Sequence, residues 1–279
     1  MNTPHDRPTR PLDVWRWLAP SAALVSIALA LRVPVDPEIW WHLAVGRVIS
    51  AFHAVAATNP FVYTAPSDSP VLLQPWIGQY WLHELHLLGG LGGILGLRNL
   101  LFACTVALVG AAAWKRSRDI VGSAVATTVV GVAATWATPL GPEIFAFPLA
   151  ALCALACFGS WRRALWLLPI AALWANLASG FAVPAASAAV VAMVRLLGHH
   201  DPRSAATFAV IAVATLAVTL LNPRGFETWG ALFDGVPMAI VTALFVAQLA
   251  ALRRRAPRPP RPRHAVVSIA VIVLAVAAA

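Results

Sequence analysis

The sequence predicts an all-α, polytopic transmembrane helical bundle of about nine spans, with a long first outer loop carrying two amphipathic helices. Three observations predict it. The 279-residue chain is 60% hydrophobic and 11% charged, where a soluble domain carries roughly 25% charged residues. So few charges cannot cover a water-facing surface. The apolar residues also form continuous Ala-, Leu- and Val-rich runs, unlike the alternation over about ten residues expected of a membrane barrel strand. Finally, the basic residues sit in short clusters between those runs, as topology signals do.

Taken in order, the hydrophobic segments are 17–33, 94–114, 120–138, 144–160, 164–178, 180–197, 204–221, 236–252 and 265–279. Segments 164–178 and 180–197 are separated only by Asn176-Leu-Ala-Ser-Gly180, so they read either as a tight hairpin or as one broken element. The first run lacks a small-residue cleavage site and leads into an acidic motif, so it is expected to stay as the first span. A cytoplasmic N-terminus and alternating faces place 16 of the 20 basic residues inside. These are Arg7, Arg10 and Arg16; Lys115, Arg116 and Arg118; Arg162 and Arg163; Arg195 and Arg203; and six arginines in the Arg/Pro-rich cytoplasmic loop 253–264. Asp36, Glu38, Asp68, Glu84, Glu143, Glu227 and Asp234 fall outside. With 19 arginines to one lysine and abundant alanine, the composition suggests a GC-rich bacterial genome. The expected location is the bacterial cytoplasmic (inner) membrane.

The net charge of +9 is accounted for by these clusters, so no nucleic-acid partner is implied. Cys104, Cys153 and Cys157 lie inside apolar runs and read as small buried hydrophobes. Membrane lipid is the partner that the composition implies.

The extracytoplasmic loop 34–93 is too long to be a simple connector. Asp36 followed by Pro37 is a helix start, acid at the N-cap and proline at the first helical position. Trp41, Val45, Val48 and Phe52 then form an apolar stripe, with Glu38 and His42 four apart on another face. Residues 58–66 read as turn and extended chain. A second helix is expected from Trp76 to about Leu88, with Gln79, His83 and His86 as a polar stripe opposite Trp81, Leu82, Leu85 and Leu88. Gly89-Gly-Leu-Gly-Gly93 should break the chain before the next span. His83-Glu84-Leu85-His86 lacks the four-residue histidine spacing of the zinc-protease motif. Histidines three apart can still share a ligand, which leaves a divalent metal open; no other cofactor is implied.

Several pieces resemble one family. Asp36-Pro-Glu-Ile-Trp-Trp-His-Leu-Ala-Val-Gly-Arg47, Asn59-Pro-Phe-Val-Tyr-Thr64, Gly89-Gly-Leu-Gly-Gly93, Leu173-Trp-Ala-Asn176 and Leu221-Asn-Pro-Arg-Gly225 occur in that order. The chain resembles the GT-C superfamily of glycosyltransferases that use polyprenyl-phosphate-linked sugars, within a poorly characterised bacterial branch. The resemblance implies a single GT-C-like transmembrane domain over 1–279. It makes Asp36 the catalytic base and Glu38, His42, His83, Glu84 and His86 its supporting polar residues. It makes Arg224, with Arg47 second, the cation that binds the donor phosphate. Two departures stand out. The relatives carry a further acid near Leu73-Gln-Pro-Trp76, and they continue past the apolar tail at 265–279. A shortened form would call for a partner subunit.

Plainer readings stay open beside these. Asp36 can be a helix cap alone. Trp40 and Trp41 can be interface anchors, and Arg224 a snorkelling side chain. Glu143 is explained by the dipole of the helix it opens. Asn176 and Asn222 can satisfy backbone at span ends. A non-catalytic scaffold or assembly protein is the competing function. A transporter would need ionisable residues deep within spans or paired broken helices in repeated halves, whereas the span interiors are almost free of charge and no internal repeat is evident.

The charge partition makes a direct prediction. In a background with Cys104, Cys153 and Cys157 replaced, Ser69→Cys should react with a membrane-impermeant thiol reagent on intact cells and Ser204→Cys should not. The reverse pattern would overturn the orientation.

Overall fold

The computed structural model describes residues 36–55, 61, 75–117, 127–128, 140–157, 160–198 and 200–231. The expected spans 17–33, 236–252 and 265–279, most of 120–138, the stretch 58–66 apart from Phe61, and loop 253–264 lie outside them. Regular structure among the described residues is helical throughout. The α-helices are α1 (Glu38–Phe52), α2 (Trp76–Ser117), α3 (Ala146–Cys157), α4 (Trp161–Ala164), α5 (Leu167–Leu177), α6 (Val183–Met193) and α7 (Pro202–Val218). A tight turn, Pro142–Phe145, leads into α3, and a wider π turn, Val194–Gly198, closes α6.

Among the described residues, two helices are long and apolar enough to cross a membrane, Trp76–Ala111 and Pro202–Leu221. Their surfaces fit an apolar surrounding. Val210 and Val213 on α7 are 68% and 69% exposed, and Leu87, Leu88 and Leu100 on α2 are also exposed. Such a surface in water would mark an aggregation or interaction site.

The main core joins α3, α5, α6 and α7. Leu149, Cys153, Trp174, Phe181, Val191, Phe208 and Ile211 meet there, among alanines at 164, 171, 175, 188 and 205 that are all buried. Small residues let helix backbones approach closely, and van der Waals contact then supplies the attraction that lipid cannot. Cys153 and Cys157 are free and buried, whereas Cys104 is exposed.

The break after Asn176 is a hairpin. Gly180 takes a left-handed conformation at φ +81°, and the indole N–H of Trp174 donates to the Ser179 carbonyl at 2.7 Å. The far end of α7 returns to the end of α5, where Asn222 Nδ2 donates to the Ala175 carbonyl at 2.8 Å. At the opposite end, Asp201 N donates to the Arg195 carbonyl, and the Arg195 guanidinium lies 5.0 Å from the Phe208 ring. So α6 runs against both α5 and α7.

Asp36 starts α1 as expected, its Oδ1 accepting from Glu38 N at 3.0 Å. The buried face of α1 is shifted from the expected one. Ile39, His42, Leu43, Val45, Gly46 and Ile49 are buried, Trp41 and Val48 are half-buried, and Phe52 is 75% exposed. Apolar residues surround much of this helix, so periodicity alone does not select a face. Gly46 selects it. A methyl group there would collide with the Gln79 carbonyl and lie 2.7 Å from His83 Cβ. α2 therefore crosses α1 at its one position without a side chain.

α2 also reverses its expected pattern. Gln79 and His83 are buried, while Trp81 and Leu88 are exposed. The polar stripe turns inward onto α1 and the apolar one outward, although Leu82 is fully buried. The glycine-rich stretch interrupts the helix at a single residue, Gly90 (φ 60°, ψ −155°), and produces a kink rather than a loop. Before the kink, Gly78 packs against the Leu177 carbonyl and Pro142. Trp76 Nε1 donates to Asn176 Oδ1 at 2.7 Å. Leu82 and Ile94 share one apolar cluster with Ile39, Leu43, Leu140 and Ile144. α1 and the first part of α2 thus lie over the end of the bundle at which the α5–α6 turn and residues 140–143 sit.

Gly46→Ala should lower the melting temperature of the detergent-purified protein. Overpacking at such a contact costs about 1–3 kcal/mol. Gly96→Ala is the control: nothing lies within 4 Å of its added carbon, and helix propensity favours alanine.

Candidate functional site

The covered end of the bundle gathers the polar side chains. Asp36 is its clamp. While Oδ1 caps α1, Oδ2 accepts from Leu140 N at 2.9 Å, across 104 residues of sequence. One carboxylate therefore holds the start of α1 to the turn that opens α3. Because Leu140 N lies just before Gly141 and Pro142, this bond brings residues 141–143 against the first turns of α1.

His42, one turn beyond Glu38, is 9% exposed. Its Nδ1 lies 3.1 Å from Gln79 Nε2. The two side chains are hydrogen-bonded, and the imidazole tautomer sets which of them donates. Nε2 faces Gly141, where an added methyl carbon would lie 3.0 Å from it. The same carbon would collide with Glu143 Oε2. A glycine at 141 is thus what lets the imidazole Nε2 and the Glu143 carboxylate approach one point. Glu143 Oε1 accepts from Ser179 Oγ at 3.2 Å, and Ser179 is exposed in the α5–α6 turn.

Electrostatics push these two groups in opposite directions. Burial raises the Glu143 pKa above the usual glutamate value, with Glu38 and Asp36 adding to the rise and a backbone bond and Ser179 opposing it. Burial lowers that of His42, against the pull of Glu38 and Asp36. Charge is removed from both: the site favours a neutral imidazole beside a carboxyl that holds its proton to higher pH than usual.

Of the residues expected at the site, Asp36, Glu38 and His42 come together here. His83, Glu84 and His86 lie further along α2. Ser50 Oγ donates to Glu84 Oε1 at 2.7 Å, tying α1 to α2 a second time. Trp40 meets His86 edge-on at 6.3 Å. His86 Nδ1 is buried with no hydrogen-bond partner among the described residues. No three His, Cys, Asp or Glu residues converge on a metal position among the described residues. Arg47 is exposed on α1, on the side of His83. Arg224 lies at the same end of the bundle, past α7. Its backbone N donates to Asn222 Oδ1, and its guanidinium pairs with Glu227 at 3.5 Å.

Glu143 was legible only as a residue at the start of a helix. Gln79 stood on the correct stripe without an assigned role, and Ser179 had no signal. The clue lay in Gly141-Pro-Glu143, where a carboxylate follows a residue without a side chain. Compared with family models, curated proteins and solved structures, the chain has no match in any of the three.

The opposite shifts fix the pH dependence of stability. A carboxyl whose pKa is raised by folding contributes stability below its unfolded value and loses it as pH rises through the folded one. A histidine whose pKa is lowered contributes stability above its unfolded value and loses it as pH falls through the folded one. Glu143→Gln should therefore melt higher than wild type at neutral and alkaline pH, with the gap closing toward acid pH. Melting followed by intrinsic tryptophan fluorescence across pH checks this.

Proposed function

We propose that the chain is a membrane glycosyltransferase of the bacterial cytoplasmic membrane. It would move a sugar from a polyprenyl-phosphate donor to an extracytoplasmic acceptor. One observation carries the reading. Asp36, Glu38, His42 and Glu143, from two segments that Asp36 bridges across 104 residues, meet at one end of a bundle with apolar outward surfaces. A lipid-linked donor fits such a layout: its tail can run along an apolar face while its sugar stays among polar groups at the helix ends. By the charge partition this end faces outward. The expected topology and its nine spans belong to the same proposal.

Transfer from such a donor needs two things of the protein. An acceptor hydroxyl or amine must lose a proton as it attacks the sugar C1, which a placed carboxylate can accept. Negative charge builds on the departing phosphate, which a cation must meet. Asp36 is the nearest acid to the exit of the first expected span. Arg224, partly buried beyond α7, is the cation proposed for the phosphate, and Arg47 is the second.

The scaffold reading has its own support. Both Asp36 oxygens already accept backbone N–H groups, so the residue holds structure whether or not it meets a substrate. The two readings part on one experiment. Asp36→Asn keeps one acceptor oxygen, replaces the other by an NH2 that cannot accept a backbone N–H, and removes the charge. With insertion and folding verified by the melting curve, transfer from a polyprenyl-phosphate sugar should fall about 100-fold or more. Arg224→Ala should mainly weaken donor binding. Equal transfer by Asp36→Asn and wild type would remove the base assignment. Failure of the wild type to bind any polyprenyl-phosphate sugar would favour the scaffold.

A further inference from the structure

We propose that Glu143, in place of Asp36, is the proton-exchanging carboxylate of this site, that the His42 imidazole is set beside it, and that Asp36 is a positioning residue. The inference rests on the transfer reading for its substrate, but its geometry stands apart from it. Asp36 uses both oxygens on backbone amides, and moving either would release α1 from the turn at 140. Glu143 has a different situation. Oε1 is engaged by the exposed hydroxyl of Ser179. Oε2 points at the space above Gly141, next to His42 Nε2. That oxygen has the freedom to take and release a proton, and the Ser179 side gives it a route to water.

The surroundings favour exchange. Among the described residues, the titratable groups that face Glu143 are Asp36, Glu38 and His42, all from the start of α1. The two acids disfavour a second negative charge, so the carboxylate is more basic than one in water. Burial lowers the pKa of His42 against the pull of Glu38 and Asp36, which disfavours a positive charge there. Its Nε2 faces the same point above Gly141 as the carboxylate.

The step balances as follows. The acceptor O–H proton passes to Glu143 Oε2 as the acceptor oxygen forms a bond to the sugar C1. The bond from C1 to the phosphate oxygen breaks, and its electron pair leaves on polyprenyl phosphate. The Glu143 proton then passes to water past Ser179, and the carboxylate is restored. No oxidant, reductant or metal is needed for the balance.

The test uses full-length protein in lipid nanodiscs and two readouts. The first is the infrared C=O band of protonated carboxyl groups, followed across pH. Wild type should show a band that titrates above the ordinary carboxylate range. Glu143→Gln should abolish it, and Asp36→Asn should leave it present. Gly141→Ala, which must displace the carboxylate, should shift it. The second readout is release of polyprenyl phosphate from a panel of polyprenyl-phosphate-linked hexoses and pentoses. Glu143→Gln should slow release about 100-fold or more with donor binding retained, and Glu143→Asp should recover part of the rate. Glu143→Gln removes charge from a site that disfavours it, so its folding is checked by the melting curve. The proposal is overturned if no band assignable to Glu143 titrates, or if Glu143→Gln releases polyprenyl phosphate as fast as wild type. If the wild type acts on no donor while the Glu143 band titrates as described, the proton-exchanging site is supported and only the sugar-transfer reading fails.

Discussion

The arrangement of this end of the molecule depends on one carboxylate holding two backbone amides. Asp36 bonds Glu38 N and Leu140 N at once. A hydrogen bond to a charged group contributes about 1.5–3 kcal/mol; the bond to Leu140 N is part-buried and the one to Glu38 N is exposed, so the long-range bond is the stronger constraint. Once α1 starts at that point, His42 must face Gly141, because it lies one turn past Glu38. Once Leu140 is fixed, Pro142 and Glu143 follow within two residues. The site is thus a consequence of a clamp, and the clamp is the residue that the family resemblance singles out for chemistry.

Around that clamp polar side chains turn inward wherever a partner is near. Gln79 meets His42, Trp76 meets Asn176, Asn222 meets the Ala175 carbonyl, and Ser50 meets Glu84. Large apolar side chains turn outward on α2 and α7. A buried polar group without a partner costs more than an exposed leucine. The same rule explains why the α5–α6 turn is so heavily bonded. Backbone carbonyls there leave the helical ladder and are satisfied by the Trp174 and Asn222 side chains instead.

The opposed electrostatics of His42 and Glu143 come from packing rather than residue type. Each is a common side chain with an ordinary pKa in water. Enclosure by α1, α2 and the 140–143 turn penalises charge on both. The neighbouring acids, Asp36 and Glu38, then separate them further in what each wants: they oppose the loss of a proton from Glu143 and favour a proton on His42. Burial outweighs that second effect, which leaves a neutral imidazole beside a basic carboxylate.

The amino-acid sequence by itself determined the helical class, the apolar segments of α2 and α7, the helix start at Asp36, and the burial of Cys153 and Cys157. Each follows from composition or from local chemistry: continuous apolar runs and a capping acid before proline. It marked a break after Asn176, and tertiary structure decided that the break is a hairpin. Tertiary structure alone decided which face of α1 is buried and that the polar stripe of α2 points inward. Periodicity reports that a helix has two faces; only a neighbour decides which is inside, and here Gly46 against the Gln79 carbonyl decides it. Tertiary structure also decided that the glycine-rich stretch is a kink at Gly90, because helices flanking a break can resume once packing holds them. Above all it promoted Glu143 from a helix-start acid to a partner of His42. Glu143 and His42 are a hundred and one positions apart, and no local pattern can report a meeting that a bond from Asp36 to Leu140 brings about.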